Sequence, residues 1–161
     1  MKKTFLNIFI IFFLNSCGFS PIYLQEKNMD YDIQIENVEG DRLINNLVVS
    51  QLNRNNNEAS TNKIKININT EYKKTINSKN STGAAASYEL VSKTLIDITK
   101  NNKTDKLMVV KRFIIDKNDN SVDQNNYERT IKETFASSIV EQLRFKINSL
   151  EWLLNPSRLE K

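Results

Sequence analysis

Lys63-Ile64-Lys65-Ile66-Asn67-Ile68-Asn69-Thr70-Glu71-Tyr72-Lys73-Lys74-Thr75-Ile76 is the stretch on which the fold turns. Ile64, Ile66, Ile68, Thr70, Tyr72 and Ile76 share one parity, and Lys63, Lys65, Asn67, Asn69, Glu71 and Lys73 share the other. Successive side chains on a strand leave opposite faces, so this period of two predicts a long strand with one face buried and one polar. Such a strand needs paired neighbours and a layer to cover its apolar face.

The flanking sequence supplies both. Asn77 through Ala86, with Asn80, Ser81 and Gly83, reads as a hairpin loop. A third strand runs from about Ser87 to Thr99 with Tyr88, Leu90, Ile96 and Ile98 in phase. Val91 and Leu95 are out of phase, which leaves either a bulge or burial of both faces. Asn101-Asn102-Lys103 makes the next turn, and a fourth strand follows from Lys106 to Ile115, apolar on both sides except at Lys111 and Arg112. Upstream, Tyr31, Ile33 and Ile35 alternate with Asp32, Gln34 and Glu36 as a first strand. After Gly40, Asp41 can cap a helix in which Leu43, Ile44, Leu47, Val48 and Leu52 share a face, ending at Asn55-Asn56-Asn57. Downstream, Asp116 to Asn126 is a polar loop. A long helix extends from about Asp123 to Leu150, with Tyr127, Ile131, Phe135, Ile139, Leu143 and Ile147 four apart. That stripe drifts by about 40° per step and, widened by Ala136 and Val140, should wrap across a sheet.

The order is therefore β-α-β-β-β-α. A parallel right-handed β-α-β crossover followed by an antiparallel meander gives an α+β fold. It is a two-layer sandwich, a four-stranded mixed sheet with two helices on one face. The single domain spans 31–155, and 156–161, after the apolar Trp152-Leu153-Leu154, is expected to be a flexible tail. The other sheet face is left exposed or docked on a partner.

Composition narrows the chemistry. The 161 residues contain no His, 1 Cys, 3 Gly and 2 Pro. Without His there is no Ser-His-Asp or Cys-His nucleophile and no His-containing metal site. One Cys cannot form an internal disulfide. Gly18, Gly40 and Gly83 stand too far apart for a phosphate-cradling loop. The acidic residues, among them Asp30, Asp32, Glu36, Glu39 and Asp41, lack the apolar setting that raises a catalytic pKa, so no enzyme, cofactor or metal is expected. Asp116-x-Asn118-x-Asn120 resembles the opening of an EF-hand loop. Ser121 and Tyr127 occupy the positions of its Gly and Glu, so a turn with Ser121 or Asp123 capping the helix is the simpler reading.

The first residues read as an export signal. Lys2 and Lys3 precede the apolar run Phe5 to Leu14, which is short for a permanent span. Leu14-Asn15-Ser16-Cys17 then resembles the lipobox of bacterial lipoproteins, with an ordinary signal peptide or signal anchor as the alternative. The lipobox resemblance implies a signal peptide over 1–16 and a lipidated tether over 17–30. It also implies covalent diacylglycerol and N-acyl lipid on Cys17, a stable anchor by two or more chains. Loss of Lys2 and Lys3 takes Lys+Arg from 23 to 21 against 19 Asp+Glu, a net charge of about +2. That small excess makes nucleic acid a poor partner. The lysines on or between the strands either keep a face and edges solvated or bind an anion.

Cys17-Gly18-Phe19-Ser20-Pro21-Ile22-Tyr23, directly after the lipobox, resembles the start of the LPS-assembly lipoprotein (LptE) family. Ala86-x-Tyr88-x-Leu90, the element order and the long final helix are similar too. The resemblance implies a lipid-anchored protein at the periplasmic face of the outer membrane. Its domain would plug and help assemble the β-barrel translocon LptD, which carries lipopolysaccharide to the cell surface. Gly18 after the Cys, where Asp would signal retention, permits outer-membrane sorting. Lipopolysaccharide as a partner points to Lys73, Lys74, Lys93, Lys111 and Arg112 as residues for its phosphates. An accessory lipoprotein of an ABC-type lipid transport system is the alternative.

Overall fold

A computed structural model describes residues 31–154. The signal segment 1–16, the tether with Cys17 and the tail 156–161 lie outside the described residues. Six elements follow one another: β1 (Asp32–Gly40), α1 (Arg42–Arg54), β2 (Lys63–Lys79), β3 (Ala85–Lys100), β4 (Lys103–Asp116) and α2 (Ser121–Leu154). They form one four-stranded sheet in the order β1-β2-β3-β4. β1 runs parallel to β2, and β2-β3-β4 is an antiparallel meander. The expected α+β architecture and element order are thus the observed ones.

Ile64, Ile66 and Ile68 on β2 and Leu90, Ile96 and Ile98 on β3 are buried on one sheet face. Across from them are Ile44, Val48 and Leu52 of α1 and Ile131, Phe135, Ala136, Ile139, Val140, Leu143 and Ile147 of α2. These residues form one continuous core between sheet and helices. The two helices also touch each other, with Gln51 Nε2 donating to Ser137 Oγ at 3.3 Å. Tyr127 departs from its stripe: it is 48% exposed, and the buried run starts one turn later at Ile131.

Local chemistry sets the boundaries. Asp41 Oδ1 accepts from Ile44 N at 3.0 Å and caps α1 as expected. The β3–β4 turn is two residues, Asn101 and Asn102, both at positive φ, the conformation asparagine tolerates in tight hairpins. The β2–β3 loop is shorter than predicted, only Asn80–Ala84. Asn80 Oδ1 accepts from Thr82 N and Ala84 N and closes the turn, so the strands pair further out, with register shifts near Ser78. α2 starts at Ser121 and its cap is Asn120, whose Oδ1 accepts from Val122 N at 3.0 Å, rather than Ser121 or Asp123. Asn118, through Gln124 and Asn120, is tied into the same start, so of the EF-hand-like residues Asn118 and Asn120 serve the helix N-terminus, while Asp116 ends β4 opposite Ser87.

Candidate functional site on the open sheet face

β2, β3 and β4 each turn one set of side chains away from the helices. The pairing register aligns Lys73, Val91 and Arg112 in one row across the sheet. The next rows are Glu71-Lys93-Val110 and Asn69-Leu95-Met108. Leu95, Met108, Val110 and Ile114 are exposed here, and together with Val91 they make an aliphatic ribbon. Lys73, Lys93 and Arg112 line it. Arg112 Nη1 lies 3.7 Å from Glu89 Oε1, an exposed pair of little energetic weight. Beside the ribbon is a shallow groove of about 500 Å³ whose lining includes Asn37, Asn69, Asp97, Lys106 and Met108. This face offers cations to phosphate and aliphatic groups to acyl chains, a pairing suited to an anionic amphiphile.

Val91 and Leu95 owe their phase to this face. β3 pairs with β4 without interruption, so there is no bulge at either residue, and neither is buried. The aliphatic ribbon was therefore written in the sequence as an out-of-phase signal, but its position on an uncovered face was not.

The structure brings together Lys73, Lys93 and Arg112 and separates Lys74 and Lys111, which point to the helix side. Adjacent residues on a strand face opposite ways, so Lys73-Lys74 and Lys111-Arg112 each divide between the faces. Lys74 Nζ donates to Glu128 Oε2 at 2.6 Å and lies 4.8 Å from the Tyr88 ring centroid. Lys111 is half-buried opposite Ser92. Among the described residues no group of three His, Cys, Asp or Glu could hold a metal, and no helix is long and apolar enough to cross a membrane.

A polar network that periodicity did not show supports the scaffold of this face. The Tyr72 hydroxyl donates to Glu128 Oε1 at 2.6 Å. Lys132 Nζ donates to Asp41 Oδ2 at 2.8 Å and sits 3.9 Å from the Tyr72 ring centroid. β2, the α1 cap and α2 are thereby joined. Burial alone would raise the pKa of Asp41, but hydrogen bonds from Ile44 N–H and Lys132 outweigh it and hold the carboxyl below its usual value. Burial opposes ionisation of Glu128 as well, and bonds from Lys74 and Tyr72 prevail. Burial, and then the bond to Glu128, push the Tyr72 hydroxyl up.

The sign of the pH dependence follows. Both carboxyls are depressed, so their contribution is complete above the ordinary carboxylate range near pH 4 and is lost as pH falls through the lower folded values. Tyr72 is raised, so its contribution is complete below about pH 10 and is lost as pH rises through the folded value. The Lys132–Asp41 pair is only 15% and 16% exposed. Lys132→Met should cost about 2 kcal/mol at neutral pH by leaving Asp41 without its cation, and the loss should shrink toward pH 3. Urea denaturation at both pH values checks this, and an equal loss at both would refute the charge account.

Chains of known structure share this fold. The rare lipoprotein B from Shewanella oneidensis aligns with a TM-score of 0.55 at 14% identity, over 72% of this chain and 99% of that one. A candidate lipoprotein from Caulobacter crescentus CB15 aligns at 0.53 and 13%, over 81% of this chain and 96% of that one. No protein-family model matches the chain, and no curated protein matches it by sequence. What the chain shares with these proteins, at such identities, is the β-α-β-β-β-α fold.

Proposed function

We propose that the protein is an outer-membrane lipoprotein, held by acyl groups on Cys17 at the periplasmic face. Its domain plugs and helps assemble the LptD β-barrel that carries lipopolysaccharide to the cell surface. The observation that carries this reading is the fold, which spans 99% of a chain named rare lipoprotein B. Here the same fold follows a lipobox-like Leu14-Asn15-Ser16-Cys17. A plug needs no turnover, and the lumen of a large barrel is polar, which suits a compact domain rimmed by cations and amides. Lys73, Lys93 and Arg112 meet lipopolysaccharide phosphates in this reading, with the aliphatic ribbon beside them. Lys74, bonded to Glu128 on the helix side, acts through the scaffold.

Affinity purification of the acylated protein in mild detergent tests it. The expected result is co-purification of a large outer-membrane β-barrel protein, with lipopolysaccharide in the eluate. Lys73→Glu, Lys93→Glu and Arg112→Glu together should keep the barrel and lose the lipopolysaccharide. Cys17→Ala should abolish acylation and membrane retention. Recovery of inner-membrane ATPase components in place of a barrel would sink the proposal and favour the ABC-transport alternative.

A further inference from the structure

The two ends of the sheet differ in charge. At one end Lys63 opens β2 opposite Asp32, and Lys100 faces Lys103 across the β3–β4 turn. α2 reaches this end, because Lys146 Nζ meets Asp105 Oδ2 at 2.7 Å and the Tyr31 hydroxyl donates to Asn148 Oδ1 at 3.3 Å. α1 ends there too, with Asn56 Oδ1 accepting from Ile33 N at 2.6 Å. Arg54, Lys63 and Lys103 are exposed at this end and pair with no carboxylate among the described residues. The acids nearby are mostly engaged. Asp32 is buried and hydrogen-bonded by Gln34 and Asn56, Asp105 is paired, and Glu58 is exposed. At the opposite end, Asp116, Asp119 and Asp123 accompany Lys79 and Lys117.

Tyr31 is at the basic end and stands 14 positions after Cys17. Even a fully extended chain of that length reaches only about 50 Å, so an anchor at Cys17 keeps this end within reach of a bilayer. We propose that the basic end, through Arg54, Lys63 and Lys103, docks directly on the anionic phospholipid headgroups of the membrane that holds the anchor. The inference rests on lipid anchoring at Cys17 as read above. Basic residues within a Debye length of an anionic surface are attracted individually, and the three come from three separate elements. Docking would hold the free domain at the bilayer before it enters the barrel, with the β2–β3 hairpin pointing away from the headgroups.

The test uses the mature chain carrying Cys17→Ala, which has no acyl group, sedimented with phosphatidylcholine vesicles with or without phosphatidylglycerol. Binding is expected only with phosphatidylglycerol. Lys103→Gln should weaken it roughly five-fold, and Arg54→Gln with Lys63→Gln and Lys103→Gln on the order of a hundred-fold. Lys79→Gln with Lys117→Gln and Arg129→Gln, which removes equal charge elsewhere, should leave it unchanged. Equal losses from the two triple variants, or equal binding to both vesicle types, would overturn the inference. A melting temperature unchanged from the parent shows that each variant is folded. Failure of acylation in cells would sink the anchored-lipoprotein reading without altering the vesicle result, and failure on vesicles would leave barrel capture untouched.

Discussion

Gly40→Ala is expected to destabilise the domain by about 3 kcal/mol or more, lowering the melting temperature on the order of 10 °C. Gly40 closes β1 at φ +95°, where an L side chain already costs about 1–2 kcal/mol. The larger part is steric. A Cβ built there would lie 2.0 Å from the Thr70 carbonyl oxygen and 2.7 Å from its carbon. These are backbone atoms of the neighbouring strand and cannot rotate away. The same carbonyl accepts from Asp41 N at 2.9 Å, so a shift that relieves the clash also disturbs the capping residue of α1. Thr70 in turn shares a buried hydroxyl contact with Thr94 at 3.0 Å, which carries the disturbance to β3. Thermal denaturation followed by circular dichroism measures the effect. A shift of only a degree or two would show that β1 can part from β2 at this point at little cost.

Phe135→Ala should cost about 3–5 kcal/mol, the range for deleting a large buried side chain and leaving a cavity. Phe135 is 2% exposed, on the part of α2 that closes the core. Phe145 on the same helix is 78% exposed, and Phe145→Ala should change stability by no more than about 0.5 kcal/mol. Urea denaturation of the pair isolates burial from residue type, since both variants lose the same atoms from the same helix. Comparable losses for the two would mean that Phe145 is covered in solution and that the packing of α2 described above is incomplete.

The contrast between these two phenylalanines was legible beforehand. Phe135 falls on the four-residue stripe from Ile131 to Ile147, and Phe145 falls off it. Tyr127 shows the limit of the same reasoning. It continues the stripe by spacing, yet it is exposed, because spacing names a face of a helix and not how far the opposing layer extends. The candidate site behaves similarly. Alternation along β2 and β4 already divided Lys73 from Lys74 and Arg112 from Lys111, a division that naming all five together as strand cations for phosphate leaves out. The exposed ribbon of Leu95, Met108, Val110 and Ile114 needed the register of three strands to be seen as one surface.

The sequence by itself determined the six elements, their order, the buried parity of β2 and the capping residue of α1. Each depends on chemistry within a few residues: a period of two or 3.6, an Asp before an apolar run, an Asn-Asn turn. Only the tertiary structure decided which sheet face stays open, how Asp41 meets Lys132 across 91 positions and how Tyr72 meets Glu128 across 56. It also gathered Arg54, Lys63 and Lys103 at the end of the sheet that carries Tyr31. Such contacts form when distant segments close on a shared core, and a local pattern records that a face is apolar without recording what will cover it.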